Sequence, residues 1–235
     1  FSGPIPGDKK NRIYLGALWI GEPMIGLDEG TLISFQSVLS GNFPSNAVVQ
    51  FGILSSPDID QTIAEYLYKK KDAGHPLLTE LAKRQAALIE NGIKDPVVKS
   101  SGVLLCKKRI IISIKCEFDK PAQSNLIKFN DLATSFESSL KANALNLHKA
   151  TPHEYLGLVR LMTHIYDKVD TRYDENCPIN EQVFYTGDDV VVHKDHIEFN
   201  TGSSDDKHFC VGAISPKFFP KDFSMGMMNY VMGDP

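Results

Sequence analysis

His193, His196 and His208, with Asp195 and Asp206 beside them, come closest to a reactive grouping in this sequence. His193 and His196 flank Lys194-Asp195, a pair with tight-turn character, so a hairpin there would bring the two imidazoles together. Imidazole nitrogens with a carboxylate oxygen suit a divalent ion, and an ion held that way can activate water for hydrolysis. A metal-dependent hydrolase built on His193, His196 and neighbouring acids is therefore one reading. The other is that these are exposed turn residues, and on that reading no metal ligand is expected. A second group, Asp167, Asp170, Asp174 and Glu175, lacks the alternating oxygen ligands and the glycine of a calcium loop. Its acids are expected to cap nearby amides or to face water. Gly16 and Gly21 have the spacing of a phosphate loop in GALWIG, but Glu22 would repel phosphate and Pro23 has no amide to offer it. A strand and turn are expected there instead. No GxSxG elbow and no Cys/His pair in a familiar context is present, although chain order alone does not exclude a spatially assembled site. No catalytic, cofactor-binding or metal residue is assigned.

Two further groups are candidates for contact. Lys69, Lys70 and Lys71, with Lys83 and Arg84, give a helical segment a basic side. The bland reading is a solvated helix face. The functional reading is docking onto an acidic partner or an anionic inner-leaflet surface, where each basic residue contributes about 1 kcal/mol. The segment 223–232, FSMGMMNYVM, is soft and apolar, and methionine suits adaptable surfaces. We expect it to pack into the core of a complete protein.

The elements that must position these groups are legible from periodicity. The 235 residues are 42% hydrophobic and 23% charged, enough for a folded domain with a real core. A net charge of −4 disfavours a general role on nucleic acid. Cys106, Cys116, Cys177 and Cys210 form no CxxC pair, so neither a zinc ribbon nor a disulfide framework is expected. They read as reduced, mostly buried thiols, which fits the cytoplasm. No apolar run approaches about 18 residues, so no membrane-spanning helix is expected. The start at Phe1 and the apolar stretch before Pro235 lead us to expect a piece of a longer protein.

Strands are expected at 13–20, 24–27, 47–54 (AVVQFGIL), 109–118 (RIIISIKCEF) and 145–147. Helices are expected after Asp28, after Pro57 into the lysine run, and from Pro76 with Leu78, Leu81, Gln85 and Leu88 on one face. Another is expected at 122–143 on a stripe of Leu126, Phe129, Leu132, Phe136 and Leu140. Thr151-Pro152-His153-Glu154 is a capping box that starts a helix. Short strands at 182–185, 190–193, 196–199 and 208–214 predict an antiparallel meander, and 221–232 a last helix. With the helical pair set aside, the order is β-α-β twice over. The predicted fold class is thus α+β, with a ferredoxin-like (split βαβ) core, a helical insertion and an antiparallel β-rich subdomain. The predicted domains are a lobe over 1–165 with its insertion at about 58–92, a linker over 166–180, and a β-rich part over 181–235 that is truncated at its C-terminal end.

The stretch Tyr173-Asp174-Glu175-Asn176, followed by Ile179-Asn180-Glu181-Gln182-Val183, resembles the N-terminal region of the TraC family. These are the assembly ATPases of F-type conjugative type IV secretion systems. The resemblance runs back through 103–165, including LNLHKATPHEYLGLVRLM, and more loosely to the hairpin and helix near the start. It implies a docking and oligomerisation module of a motor that powers pilus assembly and transfer. The implied partners are inner-membrane secretion components, with peripheral attachment to that membrane from the cytoplasm and a homo-oligomer for the full-length protein. No nucleic acid is expected on this part. Walker motifs are absent here, so this part is expected not to be an enzyme and to hold no cofactor. ATP and Mg are expected for a catalytic domain beyond residue 235. The alternative is a stand-alone ligand-binding or regulatory module, which predicts a well-formed pocket.

Overall fold

The computed structural model describes residues 2–4, 12–23, 29–41, 43–72, 74–100, 102, 104–120, 122–142, 145–164, 170–200 and 208–215. Expectations for the strand at 24–27, the cap Asp28, the turn at Gly202-Ser203 and the helix at 221–232 lie outside them. The described chain forms two compact units. One comprises residues 1–52 and 111–217, and the other 53–110 with 218–235, of which only 53–110 contains described residues.

The first unit holds a five-stranded sheet. Its strands are β1 (Ser2–Pro4), β2 (Ile13–Gly21), β3 (Ala47–Ser56), β4 (Lys107–Phe118) and β5 (Leu147–Lys149). The order is β1-β2-β4-β3, and β5 also pairs antiparallel with β2, Gly21 opposite Leu147. β2 is buried on both faces through Leu15, Ala17, Leu18, Trp19 and Ile20. β4 alternates, burying Ile112, Ile114 and Cys116. Helix α1 (Glu29–Leu39) follows β2, and α4 (Gln123–Ala142) follows β4. α4 packs on β2 and on α1. Its buried stripe is Phe129, Ala133, Phe136 and Leu140, the helical spacing expected. Leu126, predicted on that stripe, is exposed, and Ala133 rather than the predicted Leu132 is the buried residue of the middle turn. Phe136 meets Trp19 edge to face at 5.5 Å and Phe43 at 5.6 Å, the geometry that aromatic quadrupoles prefer.

Beyond β5, helix α5 (Pro152–Thr163) is followed by a short 3-10 helix, Ile179–Gln182, and a meander of β6 (Asp189–Val192), β7 (His196–Asn200) and β8 (His208–Gly212). The antiparallel order β6-β7-β8 is as predicted. Gly187, at φ 98°, makes the turn into it, a conformation that favours glycine. Phe199 is buried and stacks on Phe209 at 5.1 Å and Phe184 at 6.3 Å. The strand predicted at 182–185 is absent. Those residues leave the 3-10 helix with their carbonyls turned to a buried arginine, so no strand ladder can claim them.

The second unit carries α2 (Asp60–Asp72) and α3 (Pro76–Gly92), which pack together. Gly74 turns between them at φ 69°. Ile59, Ile63 and Ala86 are buried, backed by Leu67, Ile89 and Ile93. The face predicted for α3 is therefore corrected. Leu78, Leu81 and Leu88 are exposed, whereas Ala82 and Ala86 lie inside.

The whole is an α+β protein. No helix among the described residues is long and apolar enough to cross a membrane.

Candidate functional site

The acidic stretch after α5 is tied to that helix rather than set apart from it. α5 begins with a complete capping box, in which Thr151 Oγ1 accepts from the Glu154 amide at 3.3 Å and Glu154 Oε2 accepts from the Thr151 amide at 2.8 Å. Pro152 at the first helical position has a fixed φ that suits it. The buried side of α5 is Leu156, Gly157, Leu158, Arg160 and Thr163. A Cβ on Gly157 would lie 2.8 Å from Thr171 Cγ2, so the returning stretch runs directly over the helix backbone.

Arg160 is 6% exposed. It donates to the carbonyl oxygens of Asp170, Gln182 and Val183, and its guanidinium lies 4.4 Å from the Tyr185 ring centroid. One side chain thus satisfies three backbone acceptors that the irregular stretch cannot pair internally. Next to it, His164 is buried between Thr163 Oγ1 on Nδ1 and Asp188 Oδ2 on Nε2, both at 2.8 Å. Asp188 Oδ2 also accepts from the Tyr185 amide at 2.6 Å, and Tyr185 Oη accepts from the Asp170 amide at 3.0 Å. Sequence reading did not single out Arg160, His164 or Asp188. The available signal was a cation in the middle of the apolar run LGLVRLM, since a buried charge must find partners.

The acids here do not converge. Asp170 is hydrogen-bonded by the Arg172 side chain and amide, which hold its carboxyl down to about 2. Asp174 caps the Asn176 amide at 2.9 Å, and that bond lowers its carboxyl as well. Asp167 lies outside the described residues. Between this stretch and the sheet is an open cleft of about 510 Å³, lined by residues including Ala17, Leu18, Lys149, Tyr155, Tyr173 and Cys177.

Gly16 and Gly21 lie within β2 and form no loop, and a Cβ on Gly21 would meet the Asn146 carbonyl oxygen at 2.5 Å. Lys69, Lys70 and Lys71 occupy the last turn of α2, and Lys83 and Arg84 lie on α3; all five are exposed. Successive helical residues project about 100° apart, so the three lysines fan around the helix end. Lys70 sits 5.8 Å from the Tyr66 ring, and Tyr66 bonds Gln85 of α3. Arg84 pairs with Glu80 at 3.4 Å. Residues 53–110 hold ten Lys and Arg against seven Asp and Glu, a net +3 within a chain of net −4. Of the cysteines, Cys116 alone is buried, and burial raises its thiol; Cys106, Cys177 and Cys210 are exposed, contrary to expectation.

In the meander, the Lys194-Asp195 turn forms as predicted, closed by the His193 amide donating to the His196 carbonyl at 2.9 Å. The rings of His193 and His196 stack at 4.3 Å. The carboxylate that meets them on the strand face is Glu198, which sequence reading overlooked: Oε2 is 2.9 Å from His193 Nε2, and Oε1 is 3.1 Å from His208 Nε2. Asp195 bonds His196 Nδ1 at 2.8 Å, and Asp206 lies outside the described residues.

A family model described as TraC protein matches residues 11–235. No curated protein and no solved structure matches the chain.

Proposed function

The chain belongs to the TraC family, and is thereby associated with type IV secretion and conjugation; from that premise we propose that it is the N-terminal docking and assembly domain of a secretion ATPase. Its partners on this reading are inner-membrane components of the secretion system, met from the cytoplasmic side. The ATP and Mg of the motor belong to a catalytic domain outside residues 1–235, and that motor assembles as a homo-oligomer. The ferredoxin-like reading of the core draws support from the strand order β5-β2-β4-β3, with a helix after β2 and another after β4.

The observation that carries the docking reading is the family match, and the unit at 53–110 is where we place the contact. It concentrates positive charge in an acidic chain and leaves Leu77, Leu81 and Leu88 exposed along the same helix as Lys83 and Arg84. Basic residues steer encounter with an acidic surface, and apolar side chains beside them add contact area once it is reached. Reversal of Lys69, Lys70 and Lys71 to Glu is expected to abolish capture of the inner-membrane components in a pull-down. Unchanged capture rejects this face as the docking surface.

The cleft under Tyr155 and Tyr173 favours a second reading, a ligand-binding or regulatory module. It predicts saturable binding of a small molecule, weakened by Tyr173→Ala, in ligand-observed NMR. A screen in which nothing binds, or in which Tyr173→Ala changes no binding, removes it.

A further inference from the structure

The polar face of the meander gathers nitrogen and oxygen donors in a way its sequence does not announce. The register explains the gathering. Glu198 of β7 lies opposite Val191 of β6 and Cys210 of β8. His193 stands two residues beyond Val191, and His208 two residues before Cys210. Both are therefore diagonal neighbours of Glu198 on one face, within reach of a long side chain. His196 is on that face too, two residues before Glu198 on the same strand.

We propose that His193, His196 and Glu198 bind a divalent ion of the zinc class at the β6–β7 turn. One donor atom from each of the three lies within 4.8 Å of the others. Two imidazoles and one carboxylate are the donors of three-residue zinc sites that leave a position to water. Imidazole nitrogen prefers zinc, cobalt or nickel over calcium and magnesium, which take all-oxygen shells. Supporting contacts are in place around these donors. His196 Nδ1 bonds the Asp195 carboxylate at 2.8 Å. A proton shared there leaves the lone pair on Nε2, as in the carboxylate–histidine pairs that orient metal ligands. His208 holds the second oxygen of Glu198 at 3.1 Å and so fixes the direction of the first. The His193–Glu198 hydrogen bond gives way on binding, as the ion takes the place of its proton. The turn closed by His193 and His196 supplies two ligands from adjacent positions, so little chain order must be created.

Chelator-stripped protein should be titrated with Zn²⁺ by calorimetry and with Co²⁺ by visible absorption. The expected result is a saturable site for one ion per chain, with Co²⁺ bands of low coordination number and a Tm that rises with added Zn²⁺. His196→Ala and Glu198→Gln should each lose the site, while His148→Ala, outside the cluster, should keep it. Far-UV circular dichroism accompanies each variant, and Glu198→Gln decides the matter if His196→Ala does not fold. The proposal is overturned if wild-type protein takes up neither ion, if Glu198→Gln binds as wild type does, or if Ca²⁺ or Mg²⁺ saturates the site as readily as Zn²⁺.

Discussion

Arg160 shows how one side chain decides the conformation of a distant stretch. Its guanidinium takes three carbonyls of residues that form no regular ladder, so the cost of burying a cation is offset by bonds that the backbone needs anyway. Arg160→Met keeps most of the stem volume but leaves those acceptors without their donor. Each unsatisfied buried polar group costs about 1–3 kcal/mol, so the variant should lose about 3 kcal/mol in urea unfolding and be cut faster by protease within 170–185. A loss under about 0.5 kcal/mol, the size of an ordinary surface change, would mean the stretch holds without it. Asp170 carries a different residue-scale signature. Its folded value is depressed to about 2 by Arg172, so its contribution is complete above 3.8 and disappears as pH falls towards 2. Arg172→Ala should raise the Asp170 titration, followed by carboxyl NMR, towards 3.8, with part of the depression kept by the amide of residue 172 and by Arg160. An unmoved midpoint would assign the depression to some other group.

At the scale of elements, the contact between α5 and the returning stretch is set by the missing side chain at Gly157. Alanine is preferred over glycine within a helix by about 1 kcal/mol, yet a methyl here meets Thr171 Cγ2 at 2.8 Å. Gly157→Ala should therefore destabilise the wild-type protein. In a Thr171→Ala background, where the nearest atom left is Cβ at 3.7 Å, the same change should become neutral or stabilising. A double-mutant cycle by thermal unfolding measures this coupling, and strict additivity would show that the stretch moves aside freely. The cap on α5 gives a simpler expectation: Thr151→Ala should cost about 1 kcal/mol. Element types were largely legible beforehand. The strand at β4, Phe129, Phe136 and Leu140 of the α4 stripe and the Thr151–Glu154 box are local signals, and each formed as read. Misreadings came where a neighbour outvoted local pattern. Leu81 and Leu88 are apolar at helical spacing, but the buried side of α3 carries Ala82 and Ala86 instead. Val183 to Tyr185 have strand character, but Arg160 claims the carbonyls of Gln182 and Val183.

For the molecule as a whole, charge distribution bears on the docking reading. The net −4 of the chain conceals a net +3 over residues 53–110, and five of the ten cations there, Lys69, Lys70, Lys71, Lys83 and Arg84, lie exposed on α2 and α3. Lys69, Lys70 and Lys71 also sit in the last turn of α2, where cations favour the helix dipole by about 0.3–1 kcal/mol each. Charge reversal there weakens the helix as well as any contact with a partner. Lys83→Glu with Arg84→Glu lies mid-helix on α3 and avoids that effect. If docking depends on surface charge, this pair should also reduce capture of the membrane components while leaving Tm within a few degrees. Loss of capture only in the lysine-run variant, together with a lowered Tm, would assign its effect to α2 stability instead.

The α+β class, the capped start of α5, the three-stranded meander and the family were all legible along the chain, because each rests on spacing within a few residues or on an ordered run of motifs. Tertiary structure decided what the chemically suggestive residues do. The carboxylates nearest the histidines in sequence are those of Asp195 and Asp206. Strand register instead placed Glu198 between His193 and His208. The acids after α5 are dense in the sequence, yet Asp170 is held by Arg172 and Asp174 by the amides of Asn176. The cation that orders this stretch is Arg160, from the preceding helix. Spacing along a chain fixes which side chains share a face; which faces meet depends on contacts between residues far apart in sequence, and no local pattern records those.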